Sequence, residues 1–242
     1  MNELGIRAKL RANAVANKVV GSRRGRGIET TSAAPGSGES RSSASSIAIL
    51  DAARSLFLER GFDNVNLDQV AKAAGTSRQT VYNQFGSKDA VFREVVRGHW
   101  ATIRAETEMM FQATGDLDGE PADMLADFAD ALLRFVEETD QIAFTRLVVA
   151  ESRRLPWIAA EFYRAGKEPV LKTFAHALAT LTKKGRLSCR NPELAAHQFM
   201  GLIQEFVIWP KVMAIGEGLR DLPSNRLVVK EAVTMFLARY EP

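Results

Sequence analysis

From Ser46 onward, apolar residues fall at the spacing of helices that each bury one face. Ile49, Leu50, Ala53, Leu56 and Phe57 form the first such stripe, with Ser45 or Ser46 as the expected N-cap. Gly61 and Phe62 then supply the glycine and the hydrophobic contact that close a helix C-terminus. A short second helix is expected to start at Asn66, which caps it while Gln69 reaches back. It buries Leu67, Val70, Ala71 and Ala74 and stops at Gly75. Thr76 and Ser77 cap a third helix to about Gln84, Gly86 breaks it, and Ser87 opens a long fourth from Lys88 to about Gln112. After the loop from Gly115 to Pro121, amphipathic stretches follow at about 122–139, 141–154, 157–166, 169–184, 192–215 and 223–239, punctuated by Pro156, Pro169, Pro192, Pro210 and Pro223. No stretch alternates as a strand does, so the expected fold is all-α.

Asn66 to Phe85, NLDQVAKAAGTSRQTVYNQF, carries the most chemistry. Two short helices joined by a glycine-containing turn make a helix-turn-helix unit. Ala71 and Ala74 let the helices cross closely, and Gly75 relieves the backbone where the chain reverses. Val81 and Phe85, one turn apart, anchor the second helix to the core. Gln79 and Asn83 then face away from it, flanked by Thr80 and Tyr82, with Arg78 at the amino end. Asn or Gln bonds adenine bidentately and Arg bonds guanine. The hydroxyls of Thr80 and Tyr82, and the ammonium of Lys88, suit phosphate oxygens.

Charge sharpens this reading. Of the net +3, residues 1–46 hold +5, residues 47–112 are neutral and residues 113–242 hold −2. Any DNA contact by the folded part is therefore local rather than a general polycationic attraction. The basic cluster Arg23, Arg24 and Arg26 precedes a Ser/Gly/Ala/Pro-rich stretch, Ser32 to Ser46, too polar to order itself. This arm either grips phosphates or is a solvated tail. With no apolar run of about 18 residues and no signal-peptide core, a soluble cytoplasmic protein without membrane contact is expected.

The string ILDAARSLFLERGFDNVNLDQVAKAAGTSRQTVYNQFGSKDAVFREVV, Ile49 to Val96, strongly resembles the amino-terminal domain of TetR-family transcriptional regulators. It carries Ile-Leu-Asp-Ala-Ala, Phe57 before the Arg60-Gly61-Phe62 corner, Val70-Ala71 to Ala74-Gly75, Val81-Tyr82 with Phe85, and Ser87-Lys88. The resemblance implies a DNA-binding domain over about 43–103, with its helix-turn-helix at 66–85, behind a basic arm at 1–42. By motif position it assigns base or phosphate contact to Arg78, Gln79, Thr80, Tyr82 and Asn83 and phosphate contact to Lys88. The caps Asn66 and Ser77 belong to the same DNA-facing set. One departure is Gln84, where many relatives carry His before the Phe.

FTRLVVAESRRLP (Phe144 to Pro156), EFYRAG (Glu161 to Gly166) and NPELAAHQFMGLI (Asn191 to Ile203) look like one variant of the family's effector domain. This implies an α-helical effector-binding and dimerisation domain over about 104–242. Its last two long helices would pair with their symmetry mates as a four-helix bundle, with Phe199, Ile203, Phe206, Leu227 and Phe236 at the interface. A symmetric dimer would then set two recognition helices about 34–36 Å apart, one turn of a palindromic operator.

Met109, Phe111, Phe128, Phe144, Phe162 and Phe174 are the candidate lining of an apolar effector pocket, with Met110, Phe135 and Trp157 beside them. At helical spacing such residues also build ordinary core. No cofactor or metal site is expected, since His99, His176 and His197 lie far apart without ligand spacing. An enzyme finds no support: the glycine-rich phosphate loop, GxSxG and HExxH are missing. Cys189 has Arg190 beside it, which could lower its pKa, but no base. A helical binding or membrane-surface module is the other reading. It rests on the stripe Leu4, Ala8, Ala12, Val15 and Val19, which lacks the aromatic anchors of interfacial helices.

Overall fold

Eleven helices form among the described residues of the computed structural model, which are 37–113, 119–214 and 222–242. Most of the expected basic arm, including Arg23, Arg24 and Arg26, lies outside them, as does the apolar stripe from Leu4 to Val19. Helix α1, Ser37–Arg60, begins ahead of the expected cap. Gly38 to Ser46 contains no proline or β-branched residue, so nothing in it stops a helix from extending backwards once the apolar stripe is docked. The serines expected as caps serve elsewhere: Ser46 Oγ donates to Gln84 Oε1 at 3.0 Å, and Gln84 Nε2 donates to Ser45 Oγ at 3.4 Å. The Gln84 departure thus ties the third helix to the first.

Helices α2, Leu67–Ala73, and α3, Arg78–Phe85, cross at the turn around Gly75, whose φ is +64°. Gly61 closes α1 with a φ of +80°, and its N–H reaches Phe57 O at 3.0 Å. The long α4, Lys88–Ala113, leaves the head and continues into the second half of the chain. Around it stand α5, Pro121–Glu138, α6, Gln141–Ser152, and α7, Pro156–Phe162. A π turn, Tyr163–Lys167, joins α7 directly to α8, Glu168–Lys183. The break expected at Pro169 is therefore absent. The wider turn lies just ahead of that ring, which would otherwise collide with the carbonyl of Ala165.

Helix α9 is Pro192–Val207, and a single turn α10, Trp209–Val212, follows it. The one helix expected over 192–215 is thus cut after Val207, because Pro210 has no N–H and fits only at the start of a new turn. The last helix, α11, is Asn225–Tyr240, capped by Ser224, whose Oγ accepts from Leu227 N at 3.3 Å. No strand forms among the described residues.

Aromatic rings run through the core from end to end. In the head, Phe57, Phe62 and Phe92 contact one another at centroid distances of 5.2–5.6 Å, and Trp157 from α7 closes on Phe62 at 5.3 Å. At the far end Phe128 stacks on Phe174 at 4.0 Å, Phe174 meets Phe199 at 5.6 Å, and Phe199 meets Phe236 at 5.4 Å. Head and effector region therefore share one hydrophobic cluster.

Candidate nucleic-acid interface and effector cavity

The helix-turn-helix is held by the local bonds its sequence implies. Asn66 Oδ1 accepts from Gln69 N and Gln69 Oε1 from Asn66 N, both at 2.9 Å, a complete capping box. Ser77 Oγ accepts from Thr80 N at 3.0 Å and lies 2.8 Å from the Thr80 hydroxyl. Val81 is fully buried and Phe85 half-buried against the head core, so the opposite face of α3 is exposed. That face carries Arg78, Gln79, Tyr82 and Asn83, while Thr80 is half-buried. Tyr82 keeps 56% of its surface open. Gln79 Nε2 donates to Asn83 Oδ1 at 2.7 Å, and Arg78 reaches Asp68 at 3.3 Å.

Lys88 is also engaged within the chain. Its Nζ donates to Phe62 O at 3.0 Å and sits 4.2 Å above the Phe62 ring, and burial pushes its ammonium pKa down. It fastens α4 to the carboxyl end of α1 with one of its three N–H donors. Glu151 of α6 grips the same corner from the other side, with Oε1 accepting from Phe62 N at 3.0 Å. Arg154 pairs with Glu151 and Asp63, linking the effector region to the α1–α2 loop. Further along α4, Arg93 and Arg97 pair with the buried Glu161 of α7.

A cavity of about 230 Å³ opens between α4 and the helices from α5 to α10, lined among others by Trp100, Phe135, Val148, Phe162, Met200 and Trp209. Of the six residues expected to line the effector pocket, Phe162 alone borders this cavity. Phe128, Phe144 and Phe174 are fully buried, with Phe128 and Phe174 stacked on each other; Phe111 packs on that pair and Met109 is mostly exposed. Hydrophobic spacing identifies inward-facing residues, but only the helix junctions decide which of them border a void. Lys167, Gln204 and Trp100 were invisible to the sequence reading for that reason, and nothing local marks them. Beside the cavity, buried His99 lies 2.8 Å from Gln141 Oε1, and burial holds its imidazole down at about 4.

The expected dimer residues also divide. Phe199 and Phe236 are packed inside the chain and Ile203 faces the cavity. Phe206 and Leu227 remain 42% and 46% exposed, alongside Leu194 and Met235 on the outer faces of α9 and α11. Both faces of these helices are apolar, so spacing alone did not separate the inner from the outer. Cys189 is buried, and burial pushes its thiol up against the lowering effects of Thr182 and Arg239, with no contribution from Arg190. His176 and His197 are exposed, and no metal-ligand cluster occurs among the described residues.

Residues 49–95 match the family model for bacterial regulatory proteins of the tetR family, and residues 123–242 match the AefR-like transcriptional repressor C-terminal domain. The chain belongs to the TetR family. The structure of a TetR-family transcriptional regulator from Mesorhizobium loti superposes with a TM-score of 0.71 at 25% identity, over 84% of this chain and 99% of that one. The flavonoid-responsive regulator FrrA superposes with a TM-score of 0.67 at 29% identity, over 83% and 98%. An HTH-type transcriptional regulator of Mycobacterium tuberculosis is 36% identical over 95 residues, 39% of this chain and 45% of the relative. This TetR-family chain thus spans less than half the length of these curated relatives. The family is one of DNA-binding regulators, not enzymes. No helix among the described residues is long and apolar enough to cross a membrane.

Proposed function

We propose that this TetR-family chain is a cytoplasmic, homodimeric repressor that reads a palindromic operator with α3 and is released by a small, largely apolar effector. Gln79, Asn83, Arg78 and Tyr82 form the reading face, Thr80, Ser77 and Asn66 flank it, and the cavity holds the effector. The observation that carries this reading is the placement of Trp100 in the cavity wall on α4, the same helix whose start is bonded to the head corner through Lys88. From Lys88 to Trp100 is about 18 Å of continuous helix at 1.5 Å per residue. A ligand that favours another setting of that helix shifts the spacing of the two heads and lowers operator affinity. The response of the structural relative FrrA, described as flavonoid-responsive, supports a small-molecule signal.

Selection of bound genomic fragments by the purified protein tests the proposal. One palindromic site should be enriched, and an effector should weaken its binding by about 5–150-fold, the usual range of allosteric coupling. Enrichment of no sequence over bulk DNA would remove the regulator reading.

A further inference from the structure

The cavity wall carries a chemical preference. Its lining is apolar and aromatic apart from Gln141, Thr145, Gln204 and Lys167, and Lys167 is the single charged residue in it. Lys167 ends the π turn, half-buried, and among the described residues it makes no ion pair or hydrogen bond. The nearby carboxylates are occupied elsewhere. Glu168 accepts from Lys172 at 2.8 Å, and Glu161 is held by Arg93, Arg97 and Arg164. Burial alone pushes the Lys167 ammonium down. Gln141 is likewise committed, its Oε1 to His99 and its Nε2 to Thr145 Oγ1 at 3.2 Å. A cation set into an apolar wall without a counter-ion is unfavourable unless an anion reaches it.

The rest of the wall describes the body of such an anion. Trp100, Phe135, Phe162 and Trp209 present four aromatic rings to the cavity, which suit a ring held edge-on or offset-stacked. A volume of about 230 Å³ has room for roughly eight waters at about 30 Å³ each. That admits one aromatic ring with a short side chain.

We propose that the effector is a small aromatic monocarboxylate whose carboxylate pairs with Lys167 while its ring lies among Trp100, Phe135, Phe162 and Trp209. The inference rests on the cavity being the effector site. It extends that reading by naming an acid, where the lining's apolar majority by itself suggests a neutral molecule.

Calorimetric titration of the full chain with 3-phenylpropanoate and with its neutral isostere 3-phenylpropanamide tests it, with tryptophan fluorescence reporting occupancy beside Trp100 and Trp209. The acid should bind at least about tenfold more tightly than the amide, the strength of one charge-assisted hydrogen bond. Lys167→Met, which keeps the apolar stem, should erase that preference and leave amide binding within about twofold; Lys167→Arg should retain it. Equal affinities for acid and amide in the wild type, or a preference that survives Lys167→Met, would overturn the inference. Amide binding without acid binding would overturn it too, yet leave the cavity as the effector site. Failure of both ligands to bind would sink the inference and the cavity reading together, while operator binding, measured separately by fluorescence anisotropy, decides the DNA-binding reading by itself.

Discussion

Gln79 and Asn83 bond each other at 2.7 Å in the free protein, so the two amides proposed to read the bases are paired with each other before DNA arrives. Reading an adenine edge bidentately requires that bond to open or to be shared. Replacing either residue with Ala should cost about 1–3 kcal/mol on the operator and leave non-specific binding nearly unchanged. Anisotropy on operator and scrambled duplexes checks this, and equal losses on both would place the reading face elsewhere. His99 makes a second residue-scale prediction. Burial lowers its folded pKa from 6.5 to about 4, so the folded chain keeps it neutral. Between those values the unfolded chain takes up a proton that the folded chain refuses. The associated stability is complete above about pH 6.5 and is lost as pH falls toward 4, on the order of 3 kcal/mol in all. His99→Gln should flatten that part of the pH dependence, measured as urea midpoints at pH 7.5 and pH 5; an unchanged slope would show that other groups carry it.

At the scale of elements, the π turn connecting α7 to α8 does two jobs at once. It accommodates Pro169, and it brings Gly166 flat against the Trp100 indole. A Cβ at Gly166 would fall inside the ring, far closer than van der Waals contact allows. Gly166→Ala should therefore push Trp100 out of the cavity wall and destabilise the chain by roughly 1–3 kcal/mol, as overpacking in a filled core does. A red-shifted tryptophan emission together with a lower Tm would report both effects, and an unchanged emission spectrum would contradict the contact. The prolines were legible in the sequence but their consequences were not. At Pro169 the chain stays helical because a wide turn is available, whereas at Pro210 it divides into α9 and α10.

For the whole molecule, the outer faces of α9 and α11 are the proposed dimer surface. Phe206 and Leu227 are exposed in the single chain, so Asp at both should leave the fold intact while duplicating an unpaired charge across a two-fold interface. Sedimentation should then show monomers with a Tm near that of the unaltered chain, and operator affinity should fall far more than non-specific affinity. Phe199→Asp should behave differently and unfold the protein, since Phe199 is fully buried between Phe174 and Phe236. A dimer that persists with Asp at both outer positions would move the interface to another face.

What the sequence determined by itself is local. The capping box of Asn66 and Gln69, the Ser77 and Ser87 caps, and the glycines at positive φ follow from residues a few positions apart, and all are present as the sequence implies. So does the exposed face of α3, because a helix anchored by Val81 and Phe85 can turn only one way. Tertiary structure decided what depends on residues far apart in the chain. Lys88 looks free in sequence and is bound to Phe62 because α1 and α4 meet there. The aromatic residues read equally as core or as lining until several helices met around a void, which left Phe128 and Phe174 stacked in the interior and Lys167 at the wall. Periodicity records that a side chain turns inward, whereas the space it meets there is set by which other helices arrive.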